Sequence, residues 1–300
     1  MIMQRITLTE DLSFSRIVHG MWRLAEWNMS AQERLTFIES CIELGITTFD
    51  HADIYGGYTC EGLFGEALRL KPELRDQIEI VTKTGIKLTG DFNPGQTINH
   101  YDTTKAHIIA QAERSLSELG IDHIDTLLIH RPDPLMDPDD IAEAFNALHD
   151  SGKVRTFGVS NHLPSQQRLL QSRLPYKLVT NQLELSPMQL KHFEDGTVDL
   201  CHEERMPLMA WSPLAGGRLF SDDSYAPLRD KLKEIAERHG AHGIDVVVYA
   251  WLLKHPARIM PIIGSGKIDR VERGVEALEI ELTREEWFEI LKAARGRDVD

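Results

Sequence analysis

Four side chains near the ends of successive apolar runs could do chemistry together. ITTFDHADIYGGY, residues 46–58, delivers Asp50 at the end of a β-branched run and Tyr55 just beyond it. IEIVTK ends in Lys83 and IDTLLIH ends in His130. A carboxylate, a phenol, an ammonium and an imidazole are the side-chain types that move protons and stabilise developing charge. Such a set serves proton delivery to a reacting oxygen, or Schiff-base chemistry with Lys83 as the nucleophile in a lyase or aldolase. Each residue alone has a plainer reading. A lysine ending a strand is usually solvated, a lone histidine is usually structural, Asp50 and Lys83 could be a simple buried pair, and Asp53 could be a turn residue. The case rests on the four occurring together.

Elements of fixed geometry must bring these groups to one place. Short apolar segments recur at 16–22, 45–49, 78–83, 124–130, 156–161, 178–183, 208–213 and 259–264. Several are near-continuous hydrophobic runs, as expected of parallel strands covered by helices. Helical patterns fall between them: a helix capped by Ser30 with Glu33 completing a capping box, then 61–70, 104–119, 139–150, 164–171, 190–205, 246–255 and 268–278. Eight βα units predict an α/β fold, a (β/α)8 TIM barrel forming one domain over residues 1–300. A doubly wound open sheet is the alternative, but GMWRLAEW stands where a GxGxxG fingerprint would follow the first strand. Two extra helices, 226–239 and 284–294, lie outside the repeat, and QRITLTEDLSFSRI predicts an N-terminal β-hairpin closing the barrel floor.

A barrel carries its site at the C-terminal ends of its strands. Those ends also hold Ser160 and Asn161, Gln182, Trp211 and Ser212, and the run Gly264–Ser265–Gly266. Bulk composition narrows the partners. The net charge of −14 argues against nucleic acid or an anionic membrane surface, both of which need clustered basic charge. Three dispersed cysteines, Cys41, Cys60 and Cys201, indicate free thiols rather than disulfides or a metal site. No secretory signal pattern and no membrane-length apolar run is present, so a cytoplasmic protein, a monomer or small homo-oligomer, is expected.

The segments FDHADIYG, VTKTG, LLIHRPD, GKVRTFGVSN, TNQLELSP, WSPLAGGRL and PIIGSGKIDRVE resemble, in order and across nearly the whole chain, the motif series of the aldo-keto reductase superfamily. DHADIYGGY and IHRPDPLMDP are most similar to a bacterial YdhF-type group of oxidoreductases within it. The resemblance implies NADPH-dependent reduction of a small carbonyl substrate to an alcohol, with NADH as the alternative cofactor and no metal. It implies a catalytic tetrad of Asp50, Tyr55, Lys83 and His130. Hydride addition leaves negative charge on the carbonyl oxygen, which a proton donor must meet. Tyr55 would be that donor, its pKa lowered from about 10 by Lys83. Asp50 would hold Lys83 charged, and a neutral His130 would orient the carbonyl.

The resemblance likewise assigns the nicotinamide to Ser160, Asn161 and Gln182, with Trp211 stacking on its ring. Gly20, Met21 and Trp22 would border the cofactor. Ser212, Pro213, Leu214 and Arg218 would meet the pyrophosphate through a glycine-bearing loop. Gly264, Ser265, Lys267 and Arg270 would meet the adenosine phosphate at a helix N-terminus. Trp22, Tyr55, His130 and Arg131 would line an open substrate pocket, since the chain stops soon after its last helix. This sequence departs from the family pattern in three places. His51 replaces a common threonine, with its side chain expected to point away from that of Asp50. Gly264 replaces a common lysine. Arg273–Gly274 replaces Glu-Asn, with Arg273 expected to add positive charge for the phosphate. A nicotinamide-binding redox sensor with little turnover is the alternative function.

Overall fold

Val81 and Lys83 alternate with Ile80 and Thr82 along one strand, so the two pairs face opposite ways. Val81 packs in an inner cluster with Val18, Leu128, Met209 and Met260, which makes the Lys83 face the interior of a barrel. The computed structural model describes residues 3–298. Residues 1–2 and 299–300 of the expected 1–300 domain lie outside the described residues.

The strands, in chain order, are β1 (Arg5–Thr7), β2 (Ser13–Ser15), β3 (Val18–Gly20), β4 (Thr48–Asp50), β5 (Glu79–Thr84), β6 (Ile86–Lys87), β7 (His100–Tyr101), β8 (Ile124–Ile129), β9 (Val154–Ser160), β10 (Asn181–Glu184), β11 (Leu208–Trp211) and β12 (Met260–Ile263). The closed barrel runs β3-β4-β5-β8-β9-β10-β11-β12 and back to β3, every neighbour pair parallel. The expected eight strands and their order are thus found. Antiparallel β1 and β2 form the N-terminal hairpin. Ile6, Leu12 and Phe14 from this region enter the inner cluster at the N-terminal end of the barrel, plugging the floor.

The helices are α1 (Ala31–Glu43), α2 (Tyr55–Tyr58, a single turn in which Gly56, Gly57 and Tyr58 are left-handed), α3 (Cys60–Leu70), α4 (Lys105–Leu119), α5 (Pro138–Asp150), α6 (Pro164–Gln171), α7 (Lys191–Glu194), α8 (Thr197–Glu203), α9 (Arg218–Ser221), α10 (Ala226–His239), α11 (Ile244–Lys254), α12 (Ile268–Glu276) and α13 (Arg284–Arg295). Ser30 and Glu33 form the expected capping box on α1. A second, outer core lies between strands and helices, where Phe49, Ile80 and Phe157 meet Phe64, Phe145 and Trp251. The two extra helices, α10 and α13, are present. Trp287 of α13 stacks on Trp251 of α11 with ring centroids 4.6 Å apart. Each of these indoles donates its Nε1–H to the other's backbone carbonyl at 3.1 Å.

Three expectations need correction. The single helix expected over 190–205 is two, α7 and α8, because Gly196 adopts φ +81° and Asp195 caps the Thr197 amide at 2.9 Å. The helix expected over 268–278 ends at Glu276 and continues as a 3₁₀ turn, Ala277–Glu279. The expected open rim also carries an unforeseen arm, residues 85–103, in which β6 pairs antiparallel with β7.

Candidate active site

Lys83 comes from the interior face of β5 and is wholly buried. Its Nζ donates to both Asp50 carboxylate oxygens at 2.8 Å, to the His51 carbonyl at 2.7 Å and to Tyr55 Oη at 3.1 Å. Asp50 and Tyr55 hold the ammonium above the usual lysine range against the opposing effect of burial, so it stays charged. Burial raises the Asp50 carboxyl, and Lys83 and Gln182 oppose that rise. Tyr55 departs from expectation. Lys83 does pull its phenol downward, but burial is the larger effect and the net direction is up.

His130 follows the end of β8, and its ring meets Tyr55 edge-on at 5.9 Å. Burial, with Lys83 and Arg131 nearby, pushes its imidazole well below the ordinary histidine value, so it is neutral at physiological pH. The Arg131 guanidinium lies 5.3 Å above the Trp211 ring.

A second set of contacts runs round the barrel from Asp50. Gln182 Nε2 donates to Asp50 Oδ1 at 2.7 Å. Ser160 Oγ donates to the Gln182 carbonyl at 2.9 Å, and Asn161 Nδ2 donates to Ser160 Oγ at 2.8 Å. Trp211 Nε1 donates to Asn161 Oδ1 at 3.1 Å. Residues from β4, β5, β9, β10 and β11 thus meet in one polar network. Asn161 and Ser212 both adopt positive φ, at +59° and +50°, immediately beyond β9 and β11. Strained residues of this kind cluster at functional sites.

The remaining predicted residues divide. A Cβ on Gly20 would lie 2.7 Å from Ile262 Cγ2, so the backbone there is bare by necessity. Trp22 is 55% exposed at the rim. Met21 is turned into the core, with its amide donating to the Asp50 carbonyl and its own carbonyl accepting from the Leu24 amide. Ser212, Pro213 and Leu214 lead into a tight turn in which Ala215 N–H donates to the Ser212 carbonyl at 2.8 Å. Arg218 Nε donates to the Ala215 carbonyl at 3.3 Å. Arg23, unremarked in the sequence, donates to the Gly216 carbonyl at 3.3 Å and so joins the loops after β3 and β11.

Beyond β12, Gly264 is exposed and the Ser265 carbonyl accepts from His19 Nε2 at 3.0 Å. Ser265 Oγ accepts from the Lys267 amide at 3.2 Å at the start of α12. Gly266 packs on Trp27, whose ring would sit 2.5 Å from any added Cβ. Arg270 is exposed and forms no ion pair among the described residues. Arg273 does not supply free charge as expected. It lies 3.3 Å from Asp245 and 3.7 Å from Asp269. Gly274 is required by packing, since a Cβ there would meet Ile263 Cδ1.

The His51 side chain faces outward, as expected, with its ring edge-on to Phe64 at 4.5 Å. Burial first, then Lys83, lowers it to about 3. The part of His51 that reaches the site is its carbonyl. Two acids were missed. Glu61 of α3 is buried and accepts from Thr82 Oγ1 at 2.6 Å and Ser115 Oγ at 2.9 Å. Burial raises its carboxyl to about 7. Asp53, expected to be a turn residue, is buried beside it, and burial together with the Glu61 charge raises it well above the usual range. Nothing in local sequence distinguishes these acids from solvated ones, because their burial is a tertiary property. The three cysteines are buried free thiols, with Cys41 and Cys201 pushed up to about 12 by burial.

Known proteins resemble the chain over nearly its whole length. Residues 16–295 match the model of the Aldo/keto reductase family. The chain is 56% identical over 299 residues to oxidoreductase YdhF of Escherichia coli, covering 99% of this chain and all of that one. It is 45% identical over 298 residues to a 6-dehydroglucose reductase of Agrobacterium fabrum, again covering 99% and 100%. An aldo/keto reductase from Klebsiella pneumoniae, solved in complex with NADP and acetate, superposes with a TM-score of 0.78 at 24% identity, covering 96% of this chain and 94% of that one.

Proposed function

The chain belongs to the aldo/keto reductase family and is an NAD(P)H-dependent oxidoreductase, and from that premise we propose that it reduces small aldehydes or ketones to alcohols with Tyr55 as proton donor. The observation that carries this reading is the position of Lys83 Nζ between the Asp50 carboxylate and Tyr55 Oη. We also propose that the chain works as a single catalytic domain, as the family match over residues 16–295 supports.

The residues present suit NADPH, as the cofactor named in the Klebsiella relative supports. Ser160, Asn161, Gln182 and Trp211 would hold the nicotinamide, the turn from Ser212 to Arg218 the pyrophosphate, and Ser265, Lys267 and Arg270 the adenosine phosphate. When bound, the cofactor supplies the hydride. The chain supplies the rest. Tyr55 starts protonated, because burial outweighs Lys83 in the resting site. As negative charge grows on the carbonyl oxygen, the Tyr55 hydroxyl gives up its proton to it and Lys83 stabilises the phenolate left behind. Asp50 fixes Lys83 for this task. Neutral His130 orients the carbonyl through a hydrogen bond. Trp22 and Arg131 border the substrate.

The test is titration with NADPH and NADH followed by turnover on a carbonyl panel that includes propanal, glyceraldehyde, benzaldehyde and 6-dehydroglucose, the last chosen from the name of the Agrobacterium relative. Tighter NADPH binding and turnover of at least one carbonyl are expected. Tight binding with no turnover across the panel would favour a redox sensor, and borohydride trapping of substrate on Lys83 would favour Schiff-base chemistry.

A further inference from the structure

Just beyond Tyr55 the chain passes through three successive left-handed residues, with φ of +59° at Gly56, +63° at Gly57 and +70° at Tyr58. Glycine takes this conformation freely, but a tyrosine does so only under strain, and such strain persists only where the surroundings over-determine it. The surroundings of Tyr58 do so. Its hydroxyl accepts from the Leu88 amide at 2.9 Å and from Asn93 Nδ2 at 3.1 Å, both in the 85–103 arm. Asn93 Nδ2 also donates to the Leu88 carbonyl at 2.9 Å, which fixes the two donors relative to each other. The Tyr58 carbonyl accepts from Arg114 Nη2 at 3.3 Å. That guanidinium covers both the Tyr58 and Phe92 rings, at 4.9 and 5.1 Å.

The same turn carries Tyr55. Thr59 N–H donates to the Tyr55 carbonyl at 3.1 Å, and Thr59 Oγ1 donates to the Gly56 carbonyl at 2.7 Å. A Cβ added at Gly56 would lie 2.7 Å from Cys60 Sγ, so only a glycine fits between this turn and the start of α3. The arm starts two residues after Lys83 and is anchored at its far end, where Thr103 Oγ1 donates to Asp133 Oδ2 at 2.9 Å in the loop after His130. It is thus tied to the loops that carry Tyr55 and His130.

We propose that Tyr58 is a positioning residue for the proton donor, and that the 85–103 arm, by holding Tyr58 in its left-handed conformation, fixes the Tyr55 hydroxyl against Lys83. This rests on the role given to Tyr55 above. Tyr58→Phe removes only the hydroxyl that the arm grips. In the full-length enzyme with NADPH and a small aldehyde, it lowers kcat about tenfold, the scale of one or two lost hydrogen bonds, and leaves the NADPH Kd unchanged. The basic limb of the kcat–pH profile moves upward, because a loosened phenol feels less of Lys83. Asn93→Ala, remote from the core, gives a smaller loss with the same pattern. Tyr58→Gly, which relieves the strain but discards the anchor, loses at least as much kcat as Tyr58→Phe. Wild-type kcat and pH profile in both Tyr58→Phe and Asn93→Ala would overturn the proposal, as would a kcat loss matched by an equal loss of NADPH affinity, or full activity in Tyr58→Gly. Tyr55→Phe, run alongside, separates the two readings: if that variant stays active, it is the role of Tyr55 that fails.

Discussion

Two carboxylates, Asp50 at the C-terminal end of β4 and Asp125 at the N-terminal end of β8, are both buried and both held by cations, yet their surroundings do different work. Asp125 accepts from Arg75 at 2.9 Å, from Arg155 at 3.1 Å and from the Ile80 amide at 2.9 Å. Arg75 also donates to the Ile78 and His123 carbonyls. Asp125 is held by two always-charged guanidiniums and a backbone amide, with the His123 imidazole 3.7 Å away, and the result is a clamp tying β5, β8 and β9 at the floor. Asp50 instead faces a lysine, whose ammonium also touches the Tyr55 phenol. A compact ammonium beside a titratable hydroxyl can stabilise that hydroxyl's conjugate base, which the planar guanidinium clamp at the floor has no phenol to do. The difference between the two sites lies in what the cation touches besides the carboxylate.

Lys83→Met should cut carbonyl reduction roughly 10³-fold, within the range of general acid–base contributions, while the folded enzyme still binds NADPH. Steady-state kinetics beside fluorescence titration would read both, and near wild-type kcat would make the upper pair as structural as the lower one. Asp125→Asn should do the reverse. Losing one partner of a buried ion pair costs about 3 kcal/mol, read as a lower urea midpoint, with kcat of the folded enzyme unchanged. A large kcat loss at unchanged stability would contradict the structural role of the floor clamp.

Glu61, by contrast, is a buried acid whose direct partners are hydroxyls rather than a cation. Its carboxyl is raised from 4.5 to about 7, so the fold favours the protonated form. The stability tied to it is full below pH 4.5 and is lost as pH rises through about 7. Glu61→Gln should therefore gain on the wild type in urea denaturation at pH 8 relative to pH 5. An identical stability gap at the two pH values would show that Glu61 does not titrate in this window.

The barrel was legible because its strands are near-continuous apolar runs and helices such as α1, α4, α5 and α13 start at side-chain caps, so local pattern and global fold agree. The tetrad positions were legible because each lies at or just beyond a strand end. The arm was not, since LTGDFNPGQTIN has neither helical nor strand period. The break at Gly196 was hidden inside a helix-compatible run. The net direction of Tyr55, the burial of Asp53 and Glu61, and the pairing of Arg273 with Asp245 depend on desolvation and on partners far away in sequence, which no local pattern reports.

In the proposed mechanism Tyr55 delivers the proton while Lys83, held by Asp50, supports it. Tyr55→Phe removes the donor and leaves the cofactor residues untouched. Measured in one preparation, this variant should bind NADPH as the wild type does and lose aldehyde reduction by roughly 10²-fold or more. Reduction at a rate near that of the wild type, with NADPH binding intact, would mean that Tyr55 is not the proton donor.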